Sequence, residues 1–223
     1  IVSISEEQYK KVMKKILNYP WICLAEKPLG LNFKEIKNIY NETVFKKKKL
    51  FVSLNRRFYT STIALKKIVK LSNAKRHLKI IDCQSRKKYK FGAKKIGIKK
   101  SKLAIRNLMY SNSVHLIDYI NQFCRGKLVK INQNRKWDNK KPEDLFVRMN
   151  FSSGDTAEYR AYWKSFKKWE IQINSNKINL KLKPLERIQN FKRYSKIKKI
   201  NYKNDLSFKP GLYNQSKEIE KYF

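Results

Sequence analysis

Acidic side chains are scarce in this chain, with 17 Asp and Glu against 54 Lys and Arg over 223 residues, a formal charge of +37. A surplus of that size repels itself unless a polyanion neutralises it. Glycine and proline are also scarce, six and five residues, which excludes a flexible Gly/Arg-type arm. Cys23, Cys83 and Cys124 lie far apart, and with only His77 and His115 beside them no group has metal-ligand or disulfide-framework spacing. No metal or cofactor is therefore expected, and so sparse a set of thiols suits a reducing compartment. No apolar run approaches the roughly 18 residues that read as a membrane span.

Catalytic patterns are lacking too. There is no Walker-type loop, nucleophile elbow or zinc-deaminase motif. The close acidic pairs Glu6-Glu7, Glu143-Asp144, Asp155 with Glu158 and Glu218 with Glu220 fall at a helix start, in turns and in the tail, none beside a His. Metal-dependent phosphoryl chemistry needs carboxylates clustered on a cation. Gly154-Asp155, with Arg160 nearby, reads as a loop between elements. The sequence predicts no enzyme and no small-molecule substrate.

What the chain does have is base and aromatic rings. Thirteen Tyr, twelve Phe and four Trp exceed what a disordered basic tail carries. Between Thr43 and Ile117 there are 22 Lys or Arg and one acid, Asp82. The clusters Lys46, Lys47, Lys48, Lys49; Arg56, Arg57; Lys66, Lys67; Lys75, Arg76; Arg86, Lys87, Lys88; Lys94, Lys95; and Lys99, Lys100 recur between apolar groups such as Ile63, Leu65, Ile68 and Val69. A solvated face normally interleaves acids, and these are missing, so the stretch predicts phosphate contact through counterion release.

Periodicity places several elements. Tyr9, Val12, Met13, Ile16 and Leu17 mark a helix capped at Ser5, with Gln8 completing the box, that ends before Pro20. Asn32 and Glu35 open a second helix through Ile36, Ile39 and Tyr40, and residues 21–30 between them read as a connector. Ser111-Asn112-Ser113 is a break before a helix through Val114, Leu116, Ile117, Ile120 and Phe123, with Gly126 as its left-handed cap. Strands are predicted at 128–131 and 145–147, and again at 170–173 and 177–182 about a two-residue hairpin turn. A last helical turn or two is expected from Gln215 to Tyr222.

Residues 103–148 carry the one family resemblance. Tyr119-Ile120-Asn121-Gln122-Phe123, then Gly126-Lys127-Leu128-Val129-Lys130-Ile131-Asn132-Gln133, then Lys141-Pro142-Glu143-Asp144-Leu145-Phe146-Val147 resemble in order and spacing the RNA-binding module of the small-subunit ribosomal protein S-four family. Gln133 and Glu143 depart from it, standing where that family favours glycine. The resemblance implies that Lys127, Lys130, Arg135 and Lys136 face phosphates, with Asn132 near the RNA.

The resulting expectation is an α+β protein: a small helix-helix-hairpin RNA-binding module at 101–150, a helical region at 1–45, a basic RNA-contacting region at 46–100, and a β-hairpin with basic extension at 151–223. Its expected role is a structural constituent of a ribosome, in the small subunit as the module resemblance implies and in a mitochondrion by its AT-rich-codon residues, with another AT-rich organelle or the cytoplasmic ribosome as alternatives. Its expected partners are ribosomal RNA and neighbouring ribosomal proteins. The alternative roles are a nucleoid-type DNA-binding protein and an accessory subunit of an RNA-processing complex.

Overall fold

The computed structural model describes residues 1–85, 107–136, 138, 145–189 and 200–223. Val2 bridges Ala25 in parallel, and a 3₁₀ turn (Glu6–Gln8) leads into helix α1 (Tyr9–Ile16). Tyr9, Met13 and Leu17 bury one face, as their spacing requires. Ser5 makes no side-chain cap bond, and Glu6 and Glu7 supply the favourable charge of the first turn instead.

Strand β1 (Cys23–Glu26) occupies the expected connector. It pairs in parallel with β2 (Leu50–Ser53), from Cys23↔Leu50 to Glu26↔Ser53. Parallel partners need a crossover, and helix α2 (Phe33–Phe45) provides it. Its cap is the one the sequence predicts: Asn32 Oδ1 accepts from the Glu35 amide at 3.0 Å, while a Glu35 oxygen accepts from the Leu31 amide at 2.9 Å. Val2, Tyr9, Met13, Leu17, Ala25, Leu29 and Ile39 form the small core of α1 and this parallel β-α-β unit.

The rest builds on a seven-stranded mixed sheet. Its strands are β3 (His77–Cys83), β4 (Leu128–Gln133), β5 (Leu145–Phe151), β6 (Thr156–Tyr162), β7 (Glu170–Asn174), β8 (Asn179–Leu182) and β9 (Ile188–Gln189), in the order β4-β5-β6-β3-β7-β8-β9. β3 runs parallel to β6 and antiparallel to β7. Strand alternation sends Leu78, Ile80, Ala157, Tyr159, Ala161, Ile171 and Ile173 to one face. There they pack with Leu65, Ile68 and Val69 of helix α3 (Thr60–Lys70) and with Leu116, Tyr119, Ile120 and Phe123 of helix α4 (Val114–Phe123). The tail folds back as helices α5 (Lys203–Ser207) and α6 (Leu212–Glu220). Asp205 accepts from the Thr60 and Gly211 amides at 2.7 and 2.9 Å, so one carboxylate both caps α3 and ties down the turn into α6. Gly211 has φ +78, and a Cβ there would meet the Asn55 carbonyl oxygen at 2.2 Å, so only glycine fits. Among the described residues no helix is long and apolar enough to cross a membrane, and no group of three or more ligating side chains could hold a metal.

The expected helix-helix-hairpin module is thus corrected. β4 and β5 do pair antiparallel after α4, but they are two strands of a seven-stranded sheet joined to a parallel β-α-β unit. Local α-β-β order is common to both arrangements; β3 and β6, from segments expected to be separate, decide which one forms. Gly126, at φ +76, lies beyond the end of α4 rather than capping it, against Ser152 and Ser153. The ladder of β7 and β8 ends at Asn174↔Asn179, and beyond it Ser175 and Ile178 exchange both backbone hydrogen bonds at 2.7 and 3.3 Å, which leaves Asn176 and Lys177 as the expected two-residue turn. The expected Lys-Pro-Glu-Asp turn at 141–144 lies outside the described residues.

Asp155 holds the β5–β6 turn to the end of α4. Its side chain is fully buried and accepts from the Arg76 and Arg125 amides, both at 2.9 Å, and from the Arg125 guanidinium at 2.8 and 2.9 Å. Burial pushes its pKa up, but the Arg125 hydrogen bonds and the two amides outweigh that and hold it at about 2, below 3.8. Asp155→Asn is expected to cost about 3 kcal/mol, because it removes the charge from a fully buried acceptor on which two amides and the Arg125 guanidinium converge. The native carboxylate contributes stability above pH 3.8 that is lost as pH falls towards about 2. Denaturant titrations across that range should show the acid limb in the native chain and a shallower one in the variant.

Candidate active site

In an open α/β arrangement, ligands collect at the carboxyl ends of parallel strands. Lys27 is the first residue past β1, and Arg56 and Arg57 sit three and four residues past the end of β2, on the 3₁₀ turn Asn55–Phe58. The Lys27–Pro28 bond is cis. A cavity of about 520 Å³ opens beside Lys27, walled by Leu29, Val52, Tyr110, Val114 and Tyr222.

The other wall comes from a π-helical turn (Met109–Ser113) that runs into α4. Such turns concentrate at functional sites, because the widened ring releases a carbonyl from the helical ladder. Lys27 Nζ donates to the Ser111 carbonyl of this turn. His115 follows one residue into α4, buried, and its Nδ1 has no hydrogen-bond partner among the described residues. An unpaired buried imidazole nitrogen costs free energy unless a ligand meets it.

Helix α4 also sorts the two arginines. Arg57 makes a two-pronged pair with Asp118, both contacts at 2.6 Å, and the Tyr119 hydroxyl donates to the Arg56 carbonyl at 3.2 Å. The Arg56 guanidinium lies 4.7 Å from the centre of the Trp169 ring. Arg56, Lys27 and Lys209 then act together on the centre. Burial first, then Arg56, push the Lys27 pKa down, with Lys209 adding to this and Glu26 and Glu6 opposing it. Burial, followed by Arg56, Lys27 and Lys209, holds the His115 pKa at about 2. Glu6 is pushed up by burial, against the pull of Lys27 and the Asn107 amide.

Beneath the turn sits Asp82, on β3 and fully buried. It accepts from the Tyr159 hydroxyl at 2.6 Å, the Trp163 indole at 3.1 Å, the Gln84 amide at 3.0 and 3.1 Å, and Ser113 Oγ. Burial pushes its pKa up while these donors pull it down. Gln84 Oε1 in turn accepts from Asn112 at 3.1 Å. Two consecutive residues of the π turn are therefore tied through side chains to the sheet, which fixes the carbonyl that holds Lys27.

The residues expected to contact phosphate are distributed differently. Lys46 pairs with Glu42 at 2.7 Å, Lys49 reaches the Tyr222 carbonyl at 3.4 Å, and Lys47 and Lys48 flank the turn after α2. Lys66 donates to Gln122, Lys67 is exposed on α3, and the Lys75 stem lies against Gly154. Arg76 is buried, donating to the Phe123 and Val69 carbonyls at 3.1 and 2.8 Å, a structural cation closed to phosphate. Lys127, Lys130 and Asn132 are exposed on or just before edge strand β4, with Lys136 exposed and Arg135 half-buried just after it. Arg86, Lys87, Lys88, Lys94, Lys95, Lys99 and Lys100 lie outside the described residues. Of the expected set, Arg57 lines the cavity beside Lys27, and Arg56 acts on Lys27 and His115 electrostatically. Lys27 and His115 were missed. Their signals are an apolar tetrad ending abruptly in Glu26-Lys27-Pro28, and a histidine on the apolar side of the α4 pattern.

No protein-family model and no curated protein matches the sequence. Solved structures do match by fold. The WlbA dehydrogenase from Bordetella pertussis, in complex with NADH and UDP-GlcNAcA, aligns with a TM-score of 0.67 at 10% identity, over 85% of this chain and 57% of that one. An inositol dehydrogenase homologue from Azotobacter vinelandii, complexed with NADH and myo-inositol, gives 0.62 at 10% identity over 81% and 49%. A probable dehydrogenase from Thermotoga maritima gives 0.61 at 16% over 81% and 55%. The chain spans about half the length of the structures it matches. The fold is the one these dehydrogenases share. The resemblance to the S-four family is overturned by it, and with that fall the ribosomal role, its nucleoid and RNA-processing alternatives, the ribosomal RNA partner, and the expectation of a non-enzyme without a small-molecule substrate.

Because the folded His115 pKa lies far below its ordinary 6.5, the folded chain keeps a neutral ring where the unfolded chain binds a proton. Its contribution to stability is full above pH 6.5 and declines as pH falls below that value. Ring-nitrogen NMR of the folded chain should show no protonation of His115 between about pH 7 and 5. A midpoint near 6.5 would refute this account of the site.

Proposed function

We propose that this chain supplies the substrate-binding and proton-handling part of a dehydrogenase that acts on a hydroxyl or carbonyl of a small polar molecule. The observation that carries the reading is Lys27, an amine at the carboxyl end of β1 whose pKa is lowered by burial and by Arg56, within electrostatic reach of a buried His115 whose Nδ1 has no partner among the described residues. The dehydrogenase structures with the same fold support it.

Two of those structures hold NADH. A nicotinamide dinucleotide, when bound, supplies the acceptor or donor of hydride. The residues present suit its reacting end, since a cationic, partly buried centre with an open imidazole nitrogen accommodates a polar carbon-oxygen group beside a flat ring. The sequence contains no Gly-x-Gly-x-x-Gly, so no such loop in it cradles a pyrophosphate. Lys27 in its neutral form takes the proton of a substrate hydroxyl, and as an ammonium returns it to a carbonyl. His115 stays neutral and offers a hydrogen bond without exchanging charge. Arg56 and Lys209 favour the oxyanion that forms as the proton leaves.

The direction of the pH dependence follows. Oxidation needs the free amine, so its rate rises with pH through a Lys27 pKa lowered from 10.5, and reduction falls over the same range. Appearance of reduced nicotinamide on mixing the chain with NAD⁺ and myo-inositol, glucose or glucuronate tests the reading. Lys27→Met is expected to lower kcat by about 10²- to 10⁴-fold, the usual worth of a positioned acid-base group. Absence of substrate-dependent turnover by the native chain across that set would overturn it.

A further inference from the structure

A second cavity, of about 450 Å³, is bordered by Asn112 of the π turn and is distinct from the one beside Lys27. Its walls include Arg56, Gln84, Asn112, Lys167, Lys168 and Trp169, with Glu186 as the one acid among its described lining residues. Resting on the dehydrogenase reading, we propose that this cavity holds the acidic group of the substrate, and that the substrate class is a sugar or polyol bearing a carboxylate or phosphate.

Three features carry the inference. Glu170, the acid nearest in sequence to the two lysines, is already taken by Lys181 at 3.0 Å and Lys183 at 2.7 Å, so Lys167 and Lys168 make no ion pair among the described residues. Arg57 by contrast is paired with Asp118, and Lys217 and Lys221 with Glu220 and Glu218. Unmatched cations in a concave site select an anion. The wall is also rigid: Asp82 holds Gln84, Gln84 holds Asn112, and Arg56 rests on the Trp169 ring. Finally, the cavity neighbours the reaction centre through adjacent residues of the chain. Asn112 adjoins Ser111, whose carbonyl receives Lys27, and Arg56 acts electrostatically on both Lys27 and His115. A substrate reacting at Lys27 therefore reaches past the turn with its acidic end between Arg56 and the two lysines.

A chain of charge +37 attracts any anion weakly, so the test removes equal charge from two places. Calorimetric titration of the full chain uses glucose, glucuronate and glucose 6-phosphate as probes. At least one acidic probe is expected to bind about tenfold or more tightly than glucose, as charge-assisted contacts allow. Whichever acid binds tighter identifies the group. The double variant Lys167→Gln, Lys168→Gln should lose that preference. The variant Lys66→Gln, Lys67→Gln, on α3, should keep it. Equal losses in both variants, or no preference in the native chain, would overturn the proposal. Binding is read without turnover, so a lost preference with turnover intact refutes this inference alone. A retained preference in a native chain without turnover refutes the dehydrogenase reading alone and leaves an acidic-sugar site.

Discussion

A few buried carboxylates hold this cationic chain together, each placed where a single anion can meet several donors. Asp155 joins the β5–β6 turn to the end of α4, Asp118 joins α4 to the 3₁₀ turn after β2, and Asp205 joins the tail to the start of α3. On the open face of the sheet, Glu158 lies between Arg148 and Arg160, and Glu170 between Lys181 and Lys183. In a chain where cations outnumber anions about threefold, an acid is the scarce partner. Burying it against amides and guanidinium groups gives far more than a surface pair, for which solvent screens most of the attraction. Contacts between segments distant in sequence depend on these few side chains.

The same scarcity shapes the centre around Lys27. With Asp118 committed to Arg57 and Asp82 surrounded by neutral donors beneath the π turn, no carboxylate among the described residues stands ready to stabilise a charged Lys27 or His115 except Glu26 and the partly buried Glu6. Burial and the neighbouring cations then act in one direction, against further positive charge. A lysine with a lowered pKa and an imidazole that stays neutral follow from burial and the fold's shortage of anions, and the proposed proton chemistry draws on that shortage.

Several elements were legible along the chain because their signals are local. The periodic face of α1, the Asn32 cap of α2, the alternation of β7 and β8, and the sequence of α4, β4 and β5 need only the spacing of nearby residues. The parallel strands were not legible. β1 has four residues and no polar alternation, and its partner β2 lies beyond a whole helix, so nothing in the Cys23–Glu26 segment distinguishes it from a connector. β3 carries Lys79 and Asp82 inside a basic region, yet both of its neighbours come from the far half of the chain. The basic surplus was read as a single phosphate-facing field, whereas Arg57, Arg76 and Arg125 are structural cations with protein partners.

Composition and spacing by themselves determined the charge, the helices with strong periodicity, the antiparallel hairpins, and the lack of a glycine-rich phosphate loop. Tertiary structure alone decided which hairpins join one sheet, which arginines are bound to carboxylates, and that Lys27, Arg56 and His115 come within electrostatic reach of one another. The reason lies in range. Periodicity and capping act over a few residues, whereas burial, sheet order and the field on a titrating group are set by segments dozens of residues apart, and those appear only once the chain has folded back on itself.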